Sequence, residues 1–207
     1  IAQLEGVLSA EALDAALRAE TAYGLEAYAL ASASYTLVKA QGEGETDQVL
    51  CALTYRVPSD EAYRARTVTV DARSGAVQSL RSSAPWLEEG EDPGLTRTQA
   101  QARAEDYLAR FRGGQWETLA LSEEETADGA DRRPYYVFTY VRQANGVPFP
   151  ANYYTVAIDR TDGSVYRLDF VYDEAVDFAS PQGIVDEAAA LAAWAGTYET
   201  TLAYRLV

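Results

Sequence analysis

Few residues in this 207-residue chain are suited to catalysis. There is no histidine, so Ser-His-Asp and Cys-His nucleophile systems, imidazole bases and His-containing zinc sites are all excluded. The lone Cys51 cannot build a disulfide framework or a Cys-rich metal site. On an alternating strand it shares a face with Val49 and Leu53, which reads as a buried inert thiol. No Gly-x-Gly-x-x-Gly or Walker-type loop occurs. Carboxylates are abundant, and their catalytic use would be glycoside hydrolysis by two carboxyls about 5 or 6.5–9.5 Å apart in a cleft. The sequence shows no such pair. Asp159-Arg160-Thr161-Asp162-Gly163 lacks the alternating oxygens and closing Glu of a calcium loop and reads as a turn held by Asp side chains. Glu123-Glu124-Glu125, with Asp128 and Asp131, reads as a solvated acidic loop. The chain is expected to be no enzyme and to need no cofactor or metal.

Recognition is the better use for its distinctive residues. Asn145-Gly146 is the strongest turn signal, because both residues tolerate positive φ, and Val147, Pro148 and Phe149 follow as an apolar tip. Among 15 tyrosines, Tyr135, Tyr136, Tyr140, Tyr153 and Tyr154 cluster. Alternation puts Tyr136, Phe138 and Tyr140 on one strand face and Tyr135, Val137 and Val141 on the other. Such residues either pack across strands or offer an aromatic surface, in which Tyr153 and Trp116 would be neighbours. The candidate ligand or partner-binding residues are therefore Asn145, Gly146, Val147, Pro148, Phe149, Tyr153 and Trp116.

The formal charge of −15 opposes binding to nucleic acid or to an anionic membrane surface. No apolar run approaches 18 residues, so no membrane insertion is expected of this chain. It opens at Ile1 without Met and is read as part of a longer protein.

The elements that must position these residues occur twice. Residues 67–80 lie over 155–168 at an offset of 88, with six of fourteen positions identical. Leu8-Ser9-Ala10-Glu11-Ala12 lies over Leu95-Thr96-Arg97-Thr98-Gln99 and over Ile184-Val185-Asp186-Glu187-Ala188. The expected organisation is a first module over 1–88, a second over 89–178 and the start of a truncated third over 179–207. Each module reads as a capped amphipathic helix followed by antiparallel strands. Helices are expected over 9–22, 96–111 and 184–195, and strands over 35–40, 49–57, 66–71, 76–82, 116–121, 135–142, 153–159 and 164–172, with 25–30 a short strand or the start of one. The buried stripe of the second helix is Ala100, Ala104, Tyr107 and Leu108.

Arg142-Gln143-Ala144-Asn145-Gly146-Val147-Pro148-Phe149, followed by Tyr154-Thr155-Val156-Ala157-Ile158-Asp159, Asp162-Gly163 and Val165, resembles the YcdB/YcdC repeat domain family over residues 90–178. The first module keeps the helix start and the closing hairpin, with Arg56-Val57-Pro58-Ser59-Asp60 in place of the Asn-Gly loop. The resemblance implies an α+β fold of tandem PepSY/cystatin-like modules, each one helix packed on a curved antiparallel sheet. It implies kinship with thermolysin-type propeptide domains and an extracellular or cell-wall setting in a Gram-positive envelope, often beside S-layer modules. It carries no catalytic residues. The expected function is a non-catalytic exported module that binds protein or a cell-wall polymer; the alternative is a peptidase-modulating inhibitor or propeptide-like chaperone.

Overall fold

The two Asp-x-x-x-Gly sequences close the two hairpins that organise the sheet. Asp71 Oδ1 accepts from the amides of Arg73 and Ser74 at 3.1 and 2.8 Å, and Asp159 Oδ1 accepts from those of Thr161 and Asp162 at 2.7 and 3.3 Å. Gly75 and Gly163 both turn at φ 74°, a conformation that costs glycine little. In the computed structural model, which describes residues 5–40, 46–58, 64–90, 92, 94–122, 132–180, 182–183 and 185–197, these hairpins are β3–β4 (Ala65–Asp71, Val77–Ser83) and β7–β8 (Val147–Asp159, Val165–Val171). The acidic loop at 123–131, Ser59, Asp60, the turn that Gln41-Gly42-Glu43-Gly44 spells and the segment 198–202, whose sequence echoes Trp116-Glu117-Thr118-Leu119, lie outside the described residues.

Two further strands flank each hairpin: β1 (Ala29–Val38) and β2 (Gln48–Arg56), then β5 (Leu119–Leu121) and β6 (Tyr135–Ala144). All eight belong to one antiparallel sheet of order β1-β2-β3-β4-β8-β7-β6-β5. The halves meet at β4 and β8, where Leu80 pairs with Leu168 and Arg81 with Arg167. Leu80 and Leu168 are the positions matched at the offset of 88, so a local two-fold axis passes through this pair. Arg81 facing Arg167 would repel across the seam. Asp169 lies between them, 2.8 Å from Arg81 Nη2 and hydrogen-bonded to Arg167 Nε. Segment 87–94 therefore joins two halves of one sheet. The described residues of Ile1–Glu174 form one compact unit and those of Ala175–Val207 a second.

The helices cover one face of the sheet. α1 (Ala10–Ala19) is capped by the Ser9 side chain and buries Leu13 and Leu17. α2 (Arg97–Arg112) has a reciprocal Thr96–Gln99 capping box and buries Ala100, Ala104, Tyr107 and Leu108, as its spacing predicts. Beneath them lie Leu53, Val68, Leu80, Phe138, Tyr140, Val156 and Leu168, each at most 1% exposed. In the second unit, α3 (Glu187–Ala195) is capped by Asp186.

Three elements depart from the sequence expectation. β1 runs continuously from Ala29, six residues before the strand expected over 35–40, and carries a bulge between Leu30 and Ser32. Residues 113–118 form a 3-10 turn, leaving only Leu119–Leu121 of the strand expected over 116–121. β7 begins at Val147, so Val147, Pro148 and Phe149 pair with Ala144, Gln143 and Arg142 and do not form a loop tip. Proline is tolerated there because β8 pairs only from Tyr153 onward, leaving this end of β7 without a second neighbour.

Among the described residues Arg66 is the one buried cation of the core, at 2% exposure. Its guanidinium donates to the carbonyls of Tyr23 and Gly24 and, across the halves, to Ser164 Oγ at 2.6 Å. It also lies 3.5 Å from Asp162 Oδ2 and 4.9 Å from the Tyr28 ring centroid. Arg66→Ala should lower unfolding free energy by about 3 kcal/mol, because two carbonyls and a hydroxyl lose their donor in a dry site. Gly24→Ala should cost about 2 kcal/mol, since φ is 56° and a Cβ would sit 2.8 Å from that of Ser164. Urea midpoints compared with the parent protein measure both.

Candidate functional site

Asn145 at φ 54° and Gly146 at φ 79° make a two-residue hairpin turn, the conformation for which this dipeptide is suited. Beyond the reach of β8, and of β5 after Arg142, the paired residues 143–144 and 147–148 continue as a two-stranded ribbon. Val147 is 59% exposed on it, Pro148 is exposed and Phe149 half-buried. Residues 145–148 are thus contiguous on one projecting element, with Phe149 at its base.

Trp116 and Tyr153 are not brought together. Trp116 packs edge-on against Tyr140, with centroids 5.1 Å apart, on the helix-covered face. Tyr140 faces Tyr154 across β6–β7, whereas Tyr153 faces Val141 and Val171 on the opposite face of the sheet. Most of the clustered tyrosines do packing work. Tyr23, Tyr107, Phe111, Phe170 and Tyr154 form a continuous series of ring contacts at 5.2–6.0 Å, from the α1 end to β7. Burial pushes the Tyr154 hydroxyl up to about 12.

Beside Tyr153, Val141 and Val171, the uncovered face carries pairs of threonines. Thr54 meets Thr67 and Thr139 meets Thr155, both with hydroxyls 3.2 Å apart. Ser32, Ser34 and Thr36 of β1 share this face through their pairing with Thr54, Ala52 and Leu50.

The sheet ends in two unlike edges. β5 is three residues long, whereas β1 runs for ten with neither a charged residue nor a proline. Tyr35, Leu37 and Val38 on β1 are 41%, 37% and 41% exposed. Among the described residues no strand pairs with the outer side of β1. A strand edge of this length presents a row of free amides and carbonyls, and proteins ordinarily blunt such edges with charge or proline. Residues 25–30 read as a short strand or the start of one, but the small residues Ala31-Ser32-Ala33-Ser34 hid its continuity with Tyr35 onward.

Cys51 is fully buried between β1 and β3, and burial raises its thiol above the ordinary range. No group of three or more metal-ligating side chains occurs among the described residues. No described helix is long and apolar enough to cross a membrane.

The two turn aspartates differ in ionisation. Burial beside Asp162 raises the Asp159 carboxyl against the amide bonds and Arg66 that favour its charge. At Asp71 burial also opposes ionisation, but bonds from Ser74 and Arg73 outweigh it and hold the carboxyl low. A carboxyl raised by folding costs stability at neutral pH, and the cost vanishes once pH falls below its unfolded value. Asp159→Asn keeps the accepting oxygen and removes the buried charge. It should be more stable than the parent at about pH 7, with the gain lost by about pH 3, as measured by urea unfolding at both pH values.

No curated protein matches this chain. Among solved structures, the Bacillus megaterium YpeB C-terminal domain is similar in fold: TM-score 0.58 at 16% identity, covering 90% of this chain and 74% of that one. That likeness agrees with the α+β, PepSY-like reading of the described residues. The family model for the YcdB, YcdC repeated domain matches residues 31–171, about two thirds of the chain. The match therefore extends well before the 90–178 expected from the Asn-Gly-Val-Pro-Phe motif, and takes in both halves of the sheet. On that match the chain belongs to the YcdB/YcdC repeated-domain family.

Proposed function

We propose that this protein is a non-catalytic, exported module of the cell envelope, and that it binds a protein partner through the outer edge of β1. The observation that carries this reading is the ten-residue, uncharged edge strand with no pairing on its outer side among the described residues. An extended segment that adds to such an edge gains a ladder of main-chain hydrogen bonds, and side chains on alternate positions set its specificity. The partner's strand would extend the sheet beyond β1.

A cell-wall polymer is the less supported partner. A polysaccharide platform needs coplanar aromatics, and Trp116 and Tyr153 lie on opposite faces. The second reading is modulation of a peptidase. Two features favour it: the free β1 edge, of the kind a protease cleft accepts, and the projecting 143–148 ribbon with Val147 at its exposed end.

The test is capture of secreted and wall-associated material on the immobilised protein, with two variants in parallel. Ser34→Lys/Thr36→Lys charges the β1 edge at exposed positions and should leave stability within about 0.5 kcal/mol. Val147→Lys charges the ribbon. Protein capture lost only in the β1 variant supports edge recognition, and loss of a captured peptidase in the Val147 variant supports the second reading. Retention on peptidoglycan alone, unchanged by either variant, contradicts the proposal.

A further inference from the structure

The two-fold relation of the hairpins leaves two clefts on the helix side, one beside each turn. The cleft at the β3–β4 turn, about 520 Å³, is bounded by Ala16, Glu20, Gly75 and Phe111. The cleft at the β7–β8 turn, about 570 Å³, lies between α2 and the segment that follows α1. Both volumes fall in the range of small-ligand sites. The accessible apolar lining of the second comes from Ala22, Ala27, Tyr28 and Val57, over the buried Tyr107, Ile158 and Val165.

Charge distinguishes the two. Position 16, on α1, lies 87 residues before position 103, the offset of the two N-caps Ser9 and Thr96. Position 16 is alanine in the first cleft, and position 103 is arginine in the second. Arg103 lies against the turn so closely that a Cβ on Gly163 would sit 2.7 Å from its Cδ, Nε and Cζ atoms. Four charges of the second cleft are already engaged: Arg110 pairs with Glu20 at 2.9 Å and Asp106 at 3.2 Å, Asp162 faces the buried Arg66 at 3.5 Å, and Arg64 also has a partner. Arg103 and Glu26 line the same cleft and make no hydrogen bond or ion pair with any described residue. A cation and an anion without a partner among the described residues, beside an apolar lining, suit a ligand that carries both charges with apolar substance between them.

We propose that this cleft binds a short zwitterionic peptide with small apolar side chains. Its terminal carboxylate is held by the Arg103 guanidinium and its ammonium by Glu26, with the side chains against Ala22, Tyr28 and Val57. The site is independent of the β1 edge and of the partner proposed there. Gly24 and Gly163 form its walls; Arg66 packs against the first from the core, and Arg103 packs against the second. That packing fixes the main-chain walls on both sides of the ligand.

The test is titration of the whole chain with trialanine, followed by backbone amide NMR shifts. Saturable shifts of Gly24 and Gly163 are expected. Blocking the peptide carboxylate as an amide, or Arg103→Ala, should weaken binding about tenfold. Glu26→Gln should weaken free trialanine and leave N-acetyl-trialanine unaffected. Arg103 and Glu26 are both exposed, so neither variant endangers folding. The proposal is overturned if these glycines do not shift, if Arg103→Ala binds as the parent does, or if sodium acetate produces the same shifts at the same concentration.

Discussion

The seam between β4 and β8 is the contact on which the rest of the unit depends. It joins strands whose turns lie far apart in sequence, through the pairing of Leu80 with Leu168 and of Arg81 with Arg167. A ladder this short contributes little by itself. It persists because both leucines are fully buried under the helices and because Asp169 neutralises the facing arginines on the open side. With the seam closed, neither central edge is exposed, and the unit keeps only β1 and the short β5 as outer strands. Two separate four-stranded sheets would each have left an additional edge open to association.

Closing the seam also determines what happens on the helix side. Arg66 reaches from β3 to Ser164 at the opposite turn, so a residue of the first half holds the wall of a cleft in the second. Tyr23 and Tyr107 meet edge-on with hydroxyls 3.3 Å apart, linking the segment after α1 to α2. Arg110 of α2 returns to Glu20 at the end of α1. These contacts run between halves, which is why the clefts have fixed walls although neither helix touches the other half's sheet over its whole length. The aromatic content belongs to this interior framework more than to a surface.

The sequence disclosed what is local. The N-caps Ser9 and Thr96, the stripe Ala100-Ala104-Tyr107-Leu108 and the Asp-to-Gly turns are readable because a few neighbouring residues determine each of them. The division of β6 into two faces was readable for the same reason: alternation put Phe138 and Tyr140 together, and the structure buries that face. Pairing between residues 88 apart leaves no local mark, so two modules could be read while their union in one sheet could not. Arg66 was equally hidden, because arginine is ordinarily a surface residue and its partners here are main-chain carbonyls distant in sequence. Trp116 and Tyr153 looked like neighbours because both are aromatic near one strand pair, but a 3-10 turn puts one on each face. The edge role of β1 depends on which strand ends the sheet, a property of the assembled order.

Native-state amide hydrogen exchange tests the central claim directly, that the two halves form one sheet ending in a free β1 edge. The account predicts that amides facing each other across β4 and β8 exchange as slowly as those within β3–β4 and β7–β8, while the outward amides of β1 exchange fast. Seam amides that open faster than both halves, or slow outward amides on β1 in the isolated protein, would contradict it.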